Sequence, residues 1–167
     1  LAKDPSQVGP FLEKLGRELQ DASAELRELA RGIHPAVLTE RGLAAALAAL
    51  AARSPVPVEV IDAPTERLPP AVEATAYFTV SEALTNVAKY AEASHAVVKL
   101  EHGGEELVVE VRDDGVGGAS TNSGSGLSGL ADRVGALDGT LTVDSPVGQG
   151  TVVRAVLPLN GVGSSSG

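Results

Sequence analysis

Glu82, Asn86 and Lys89 recur at steps of four and three within the stretch 71–92. On a helix those steps place them on one face, a turn apart. The residue types suit a metal and a phosphate. An amide oxygen on Asn86 is a hard ligand of the kind Mg²⁺ takes. A carboxylate one turn back, on Glu82, can accept a proton or hold a water. Lys89, one turn on, can neutralise phosphate. A solvated helix face with an incidental asparagine would look the same, so the triplet does not decide the matter by itself.

A second stretch, Asp113 to Gly129, reads DDGVGGASTNSGSGLSG. Its side chains are small and polar, with nothing to pack a core. Glycines let backbone N–H groups approach a ligand closely and adopt positive φ. The helix expected from Leu127 to Leu137 would offer unpaired N–H donors and a partial positive charge, which suits phosphate. The carboxylates of Asp113 and Asp114 stand at the other end of the loop. One end accepts hydrogen bonds and the other accepts phosphate, which matches the two ends of a nucleotide.

The elements that must position these residues follow from periodicity. Pro10 to about Ile33 carries apolar residues at Phe11, Leu15, Leu19, Ala22, Leu26, Leu29 and Ile33. Their spacing settles into steps of four and three, a heptad seam on a helix roughly 35 Å long. So narrow a stripe calls for partner helices. His34-Pro35 should end it. Thr39 to Arg53 reads as a second helix and Val56 to Ile61 as a strand. Pro70 to about Glu92 is the helix bearing the triplet. His95 to His102 and Glu105 to Asp113 form a hairpin across Gly103-Gly104. After the glycine loop and its helix, Thr140 to Asp144 and Thr151 to Leu157 form another. The tail from Asn160 is too small and polar to order itself. The order gives an α+β fold: a two-layer sandwich of helices on a mixed, largely antiparallel sheet, with a helical arm in front.

Composition narrows the classes. The 167 residues carry a formal charge of −9, which argues against a basic nucleic-acid-binding surface. No apolar run approaches the roughly 20 residues of a membrane span. There is no cysteine, hence neither a disulfide framework nor a thiolate metal site. With two Phe and two Tyr, the core must be built mostly from Ala, Val and Leu. Methionine is absent even at position 1, which reads as a processed or excised fragment. A cytoplasmic module is the default expectation.

The stretches SEALTNVAKYA, DDGVGG and GSGLSGLADRVGALDGTLTVDSPVGQGTVVRAVLP together resemble the catalytic, ATP-binding domain of sensor histidine kinases. Their order matches that family's asparagine box and glycine boxes. The lead-in ELRELARGIHPAVLTERGLAAALAAL looks like the subfamily that serves response regulators with LuxR-type DNA-binding domains. The resemblance implies the sandwich fold shared with gyrase, and ATP and Mg²⁺ as cofactors. Asn86 then matches the Mg²⁺-binding asparagine, Glu82 the acidic residue that activates or positions the attacking imidazole, and Lys89 a basic residue near the phosphates. Asp113 would accept a hydrogen bond from the adenine amino group. Gly115 and Gly117 would shape the adenine pocket and lid hinge. Gly124, Gly126 and Gly129 would bring N–H groups to the phosphates, with Leu127 among them, and Thr151 would lie near adenine.

Two departures stand out. Lys89-Tyr90 replaces the subfamily's usual Lys-His. None of His34, His95 and His102 has the setting of a phosphoacceptor. The implied organisation is half of a dimerisation hairpin (1–34), a catalytic domain (35–159) and a tail (160–167), with the phosphorylated helix missing and homodimerisation through the hairpin. Other readings remain open. GSGLSG also satisfies the dinucleotide pattern G-x-G-x-x-G, but a Rossmann unit needs its first glycine directly after a strand. An ATP-binding switch without kinase activity would share the same fold. So would an anti-sigma-factor serine kinase, against which the heptad helix argues.

Overall fold

The computed structural model describes residues 35–119 and 125–160. The heptad stretch, His34, Gly124 and the tail 161–167 lie outside the described residues. Helix α1, Ala36–Arg53, begins directly after Pro35, earlier than the expected Thr39. The Pro35 carbonyl accepts from Leu38 N–H at 2.9 Å and Thr39 N–H at 3.3 Å, so the proline itself starts the first turn. α1 is not continuous. Gly42 sits at φ 81°, ψ −179°, a conformation open only to glycine, and the helix kinks there. An alanine-rich pattern conceals such a break.

Arg67 lies against Gly42 and ties α1 to the next helix. Its guanidinium donates from Nε to Glu73 Oε1 at 3.0 Å and from Nη2 to Oε2 at 2.9 Å, and its Nη1 donates to Thr39 O at 3.2 Å. Glu73 is 1 % exposed. A third donor, Leu68 N–H, completes its coordination at 3.0 Å. A buried carboxylate is tolerable only when paired and hydrogen-bonded like this. It also lies in the first turn of α2, where helix dipoles favour negative charge.

Helix α2, Pro70–Asn86, opens with proline at its first position, where the missing N–H costs nothing. Val72, Ala76 and Val80 are almost wholly buried, and so are Thr75 and Thr79. Thr79 donates its hydroxyl to Thr75 O at 2.8 Å, which removes the penalty of burying it. α2 is therefore a central helix, packed on α1 as well as on the sheet.

The sheet has the order β1-β2-β3-β5-β4. Its strands are β1 Val58–Ile61, β2 Ala96–Gly103, β3 Glu106–Asp113, β4 Thr140–Asp144 and β5 Thr151–Pro158. β1 pairs with β2 in parallel, and the other three pairings are antiparallel. The hairpin loop is Gly104-Glu105 rather than Gly103-Gly104, because Gly103 pairs with Glu106 and the positive φ of 64° falls at Gly104. Alternation then fixes the faces. Val98 and Leu100, Leu107 and Val109, and Ala155 and Leu157 are buried under the helices with Leu43 and Leu47 of α1. Helix α3, Ser125–Gly135, adds Leu130 and Val134 to the buried side.

Arg67→Ala leaves the Glu73 carboxylate buried with only a backbone donor. We expect a clear drop in the urea unfolding midpoint, partly recovered by the charge-neutral pair Arg67→Met with Glu73→Gln. An unchanged midpoint in the single variant would show that water replaces the guanidinium at no cost.

Candidate functional site

The helix carrying the triplet changes form after Asn86. Residues Val87–Ala91 make a π turn, in which each N–H reaches back five residues instead of four. The residue that returns to a given face therefore comes later along the chain. Tyr90 and Ala91, not Lys89, share the Asn86 face and join it in lining a pocket. Lys89 is exposed beside it. Glu92, at φ 52°, ends the turn in the left-handed region.

The loop after β3 is pinned to this turn by backbone contacts. Val116 N–H donates to Ala91 O at 2.8 Å. A Cβ on Gly115 would overlap that same carbonyl. Gly117, at φ 64°, passes so close to Pro146 O that no side chain would fit. Gly118 N–H donates to Ser145 O at 2.9 Å, and Gly148 N–H donates to Val116 O at 2.7 Å. The glycines here let three stretches of backbone cross at hydrogen-bonding distance.

These crossings enclose a cavity of about 300 Å³. Its walls are apolar: Ala83, Val87, Val111, Leu127 and Val153. Asp113 and Thr151, cross-strand partners on β3 and β5, supply polar groups. Asp113 Oδ1 accepts from Gly115 N–H at 2.9 Å. Among the described residues its second oxygen has no donor, which leaves an oriented acceptor for the cavity. Thr151 Oγ1 is 2.8 Å from Ser145 Oγ. The Asn86 amide makes no hydrogen bond within the described residues and borders the same space. Apolar walls with one fixed acceptor fit a flat heterocycle bearing an exocyclic amine, and an uncommitted amide oxygen at the rim fits a hard cation.

Of the residues singled out in the sequence, Asn86, Asp113, Gly117, Leu127 and Thr151 line this cavity. Gly115 stands behind it, against Ala91. Gly129 lies in α3 as expected, and Gly126 joins it there rather than in the loop, because the helix begins at Ser125. The space a Gly126 side chain would need is taken by the Glu82 carboxylate. The sequence reading noted Tyr90 only as a departure from the usual histidine, not as a lining residue, and missed the valine walls. The inward alternation of Val111 and Val153 could have revealed those walls, but nothing in the sequence marks a π turn.

Asp114 is structural. It accepts from Ser94 N–H at 2.8 Å and His95 N–H at 3.1 Å, and from the Ser94 hydroxyl. The Ser94 hydroxyl and the His95 N–H hold its carboxyl far below the usual aspartate range. His102 pairs with Glu66 at 2.7 Å. Arg133 lies with its guanidinium carbon 4.6 Å from the centre of the Phe78 ring. The dinucleotide reading fails on topology: β3 ends at Asp113, well before Gly124, and is antiparallel to both neighbours.

A five-stranded mixed sheet under helices, with a glycine-walled pocket at the end of its central strands, defines an ATP-binding sandwich. The chain belongs to the histidine kinase-, DNA gyrase B- and HSP90-like ATPase family, which it matches over residues 71–161. That family binds ATP. The chain is 36 % identical over 167 aligned residues to the sensor histidine kinase NarS of Mycobacterium tuberculosis, covering 91 % of this chain and 38 % of that one. It is 32 % identical over 101 residues to the signal transduction histidine-protein kinase/phosphatase DegS of Bacillus subtilis, covering 57 % of this chain and 26 % of that one. Both relatives are thus far longer than this chain. Among solved structures, the histidine kinase domain of a blue-light activated histidine kinase from Erythrobacter litoralis matches with a TM-score of 0.53 and 28 % identity. That match covers 71 % of this chain and 58 % of the other. No helix among the described residues is long and apolar enough to cross a membrane.

Because the Asp114 pKa is depressed in the fold, its contribution to stability is complete above the ordinary value of 3.8 and is lost as pH falls further. The advantage of the wild type over Asp114→Asn in urea midpoint should therefore be full at neutral pH and shrink below that value. A difference that does not vary with pH would remove the carboxylate from this role.

Proposed function

We propose that the chain is the ATP-binding catalytic part of a two-component sensor histidine kinase. The observation that carries this reading is the convergence of Asn86, Asp113, Gly117, Leu127 and Thr151 on one apolar-walled cavity in a chain of this family. When bound, ATP with Mg²⁺ supplies the phosphoryl group that is transferred.

The chain's own residues do the positioning. Asp113 accepts the exocyclic amine of the base through its open carboxylate oxygen, and its other oxygen is held by Gly115. Val87, Val111, Leu127 and Val153 exclude water from the faces of the ring. Asn86 offers its amide oxygen to the cation. Lys89, exposed one turn along, adds positive charge at the phosphate end. By the glycine-box resemblance, Gly124 and Gly129 would offer backbone N–H groups to the phosphates. Glu82 accepts the proton of the attacking imidazole or orients that ring. Catalysis of this kind rests on alignment and charge neutralisation rather than on covalent chemistry by the protein.

The phosphoryl group passes to a histidine on a separate helix and from there to an aspartate of a response regulator. The lead-in motif supports a regulator with a LuxR-type DNA-binding domain. The heptad pattern of 11–33 supports a homodimer through a helical hairpin.

Calorimetric titration with a non-hydrolysable ATP analogue, with and without Mg²⁺ and with NAD as control, tests the reading. We expect saturable binding strengthened by Mg²⁺, and none of NAD. Asp113→Asn should weaken binding by about tenfold or more, the equivalent of roughly 1.5 kcal/mol for a hydrogen bond to a charged group. Asn86→Ala should abolish the strengthening by Mg²⁺ while leaving metal-free binding near the wild-type value. Analogue binding indifferent to both substitutions would overturn the assignment.

A further inference from the structure

Helices α2 and α3 meet at two places. Phe78 and Glu82 are one turn apart on α2, and Gly126 and Arg133 are two turns apart on α3. The Arg133 guanidinium carbon lies 4.6 Å from the centre of the Phe78 ring. The Glu82 carboxylate rests on Gly126, where an added Cβ would overlap Oε1 and stand 2.8 Å from Cδ. The pairs run in opposite order along the two helices, so one contact fixes the height of the other. Electrostatics favours the arrangement. The first turn of α3 contains no acidic residue of its own, and a carboxylate from α2 meets its partial positive charge.

We propose that Gly126 and Arg133 are positioning residues for Glu82. The bare first turn of α3 is the seat of the carboxylate, and the Arg133–Phe78 contact holds that seat in register with α2. This deepens the reading above, in which Glu82 handles or orients the acceptor imidazole, and rests on it. It also gives Gly126 a different reason to be glycine. The glycine-box resemblance gives it a backbone approach to phosphate, whereas here its open face admits the carboxylate. A glycine inside a helix is otherwise unfavourable relative to alanine, so Gly126→Ala would stabilise the helix if that face were free.

The test supplies a histidine-bearing helical hairpin in trans and follows its phosphorylation from ATP. Gly126→Ala should lower the maximal rate tenfold or more while the KM for ATP stays within threefold of wild type. Adding Glu82→Asp, one methylene shorter, should restore at least threefold of the rate lost in Gly126→Ala, although the same change alone slows the wild type. Arg133→Ala should lower the rate, and Arg133→Lys, which keeps a cation over Phe78, should largely retain it. A raised KM with unchanged maximal rate, indifferent to residue 82, would overturn the proposal in favour of phosphate approach. Thermal midpoints decide the contact itself without nucleotide. Glu82→Ala with Gly126→Ala should melt higher than Gly126→Ala alone, and equal midpoints would sink the seat. If the wild type binds no ATP analogue, the function assigned above falls, and the midpoints still report whether Gly126 seats Glu82.

Discussion

The carbonyl of Ala91 is the point on which the site depends. It receives the N–H of Val116 and leaves no room for a side chain at Gly115. That single crossing joins the end of the helix bearing Asn86 to the loop that follows Asp113. It sets the distance between Asn86 and Asp113 across the mouth of the cavity. A second crossing, Gly117 over Pro146, joins the same loop to the β4–β5 turn. Backbone-to-backbone contacts are stiff because no rotamer can relax them. The acceptor on Asp113 is thus aimed before any ligand arrives, which is what selective recognition of a base requires.

The frame behind these crossings is rigid for ordinary reasons. β3 and β5 are the central partners of the sheet and carry Asp113 and Thr151 at paired positions. α2 lies buried over them, so Asn86 stands at the exit of a helix that cannot rotate. The Arg67–Glu73 fork anchors the start of that helix, and the Arg133–Phe78 contact anchors its outer flank to α3. The polar contacts that position the site are therefore made at the ends and edges of an apolar core.

Much of this was legible in the sequence. Alternation located all five strands, and the last hairpin lies within a residue of its expected limits, because strand periodicity is short and turn residues punctuate it. The composition of the glycine stretch pointed to a ligand loop, and the resemblance singled out Asp113 at its start and Asn86 on the preceding helix, both of which line the pocket. What could not be read was phase. Glu82, Asn86 and Lys89 share a face only if the helix stays α, and the π turn moves Lys89 off it and brings Tyr90 on. The kink at Gly42 is another phase change hidden in an alanine-rich run. Gly126 was read as loop because its neighbours are small and polar. Its real constraint comes from Glu82, a residue 44 positions earlier, and local composition carries no trace of that contact.

The wide turn at Val87–Ala91 limits how this domain could be redesigned. A π turn amounts to one extra residue in a helix, and a stabilising redesign would remove it to recover regular geometry. Deleting one residue between Asn86 and Ala91 would move Tyr90 out of the pocket lining. It would also withdraw the carbonyl that Val116 needs. The irregular turn is therefore the length adjustment that lets a rigid helix and a sheet meet at the right offset, and optimising the helix alone would detune the pocket.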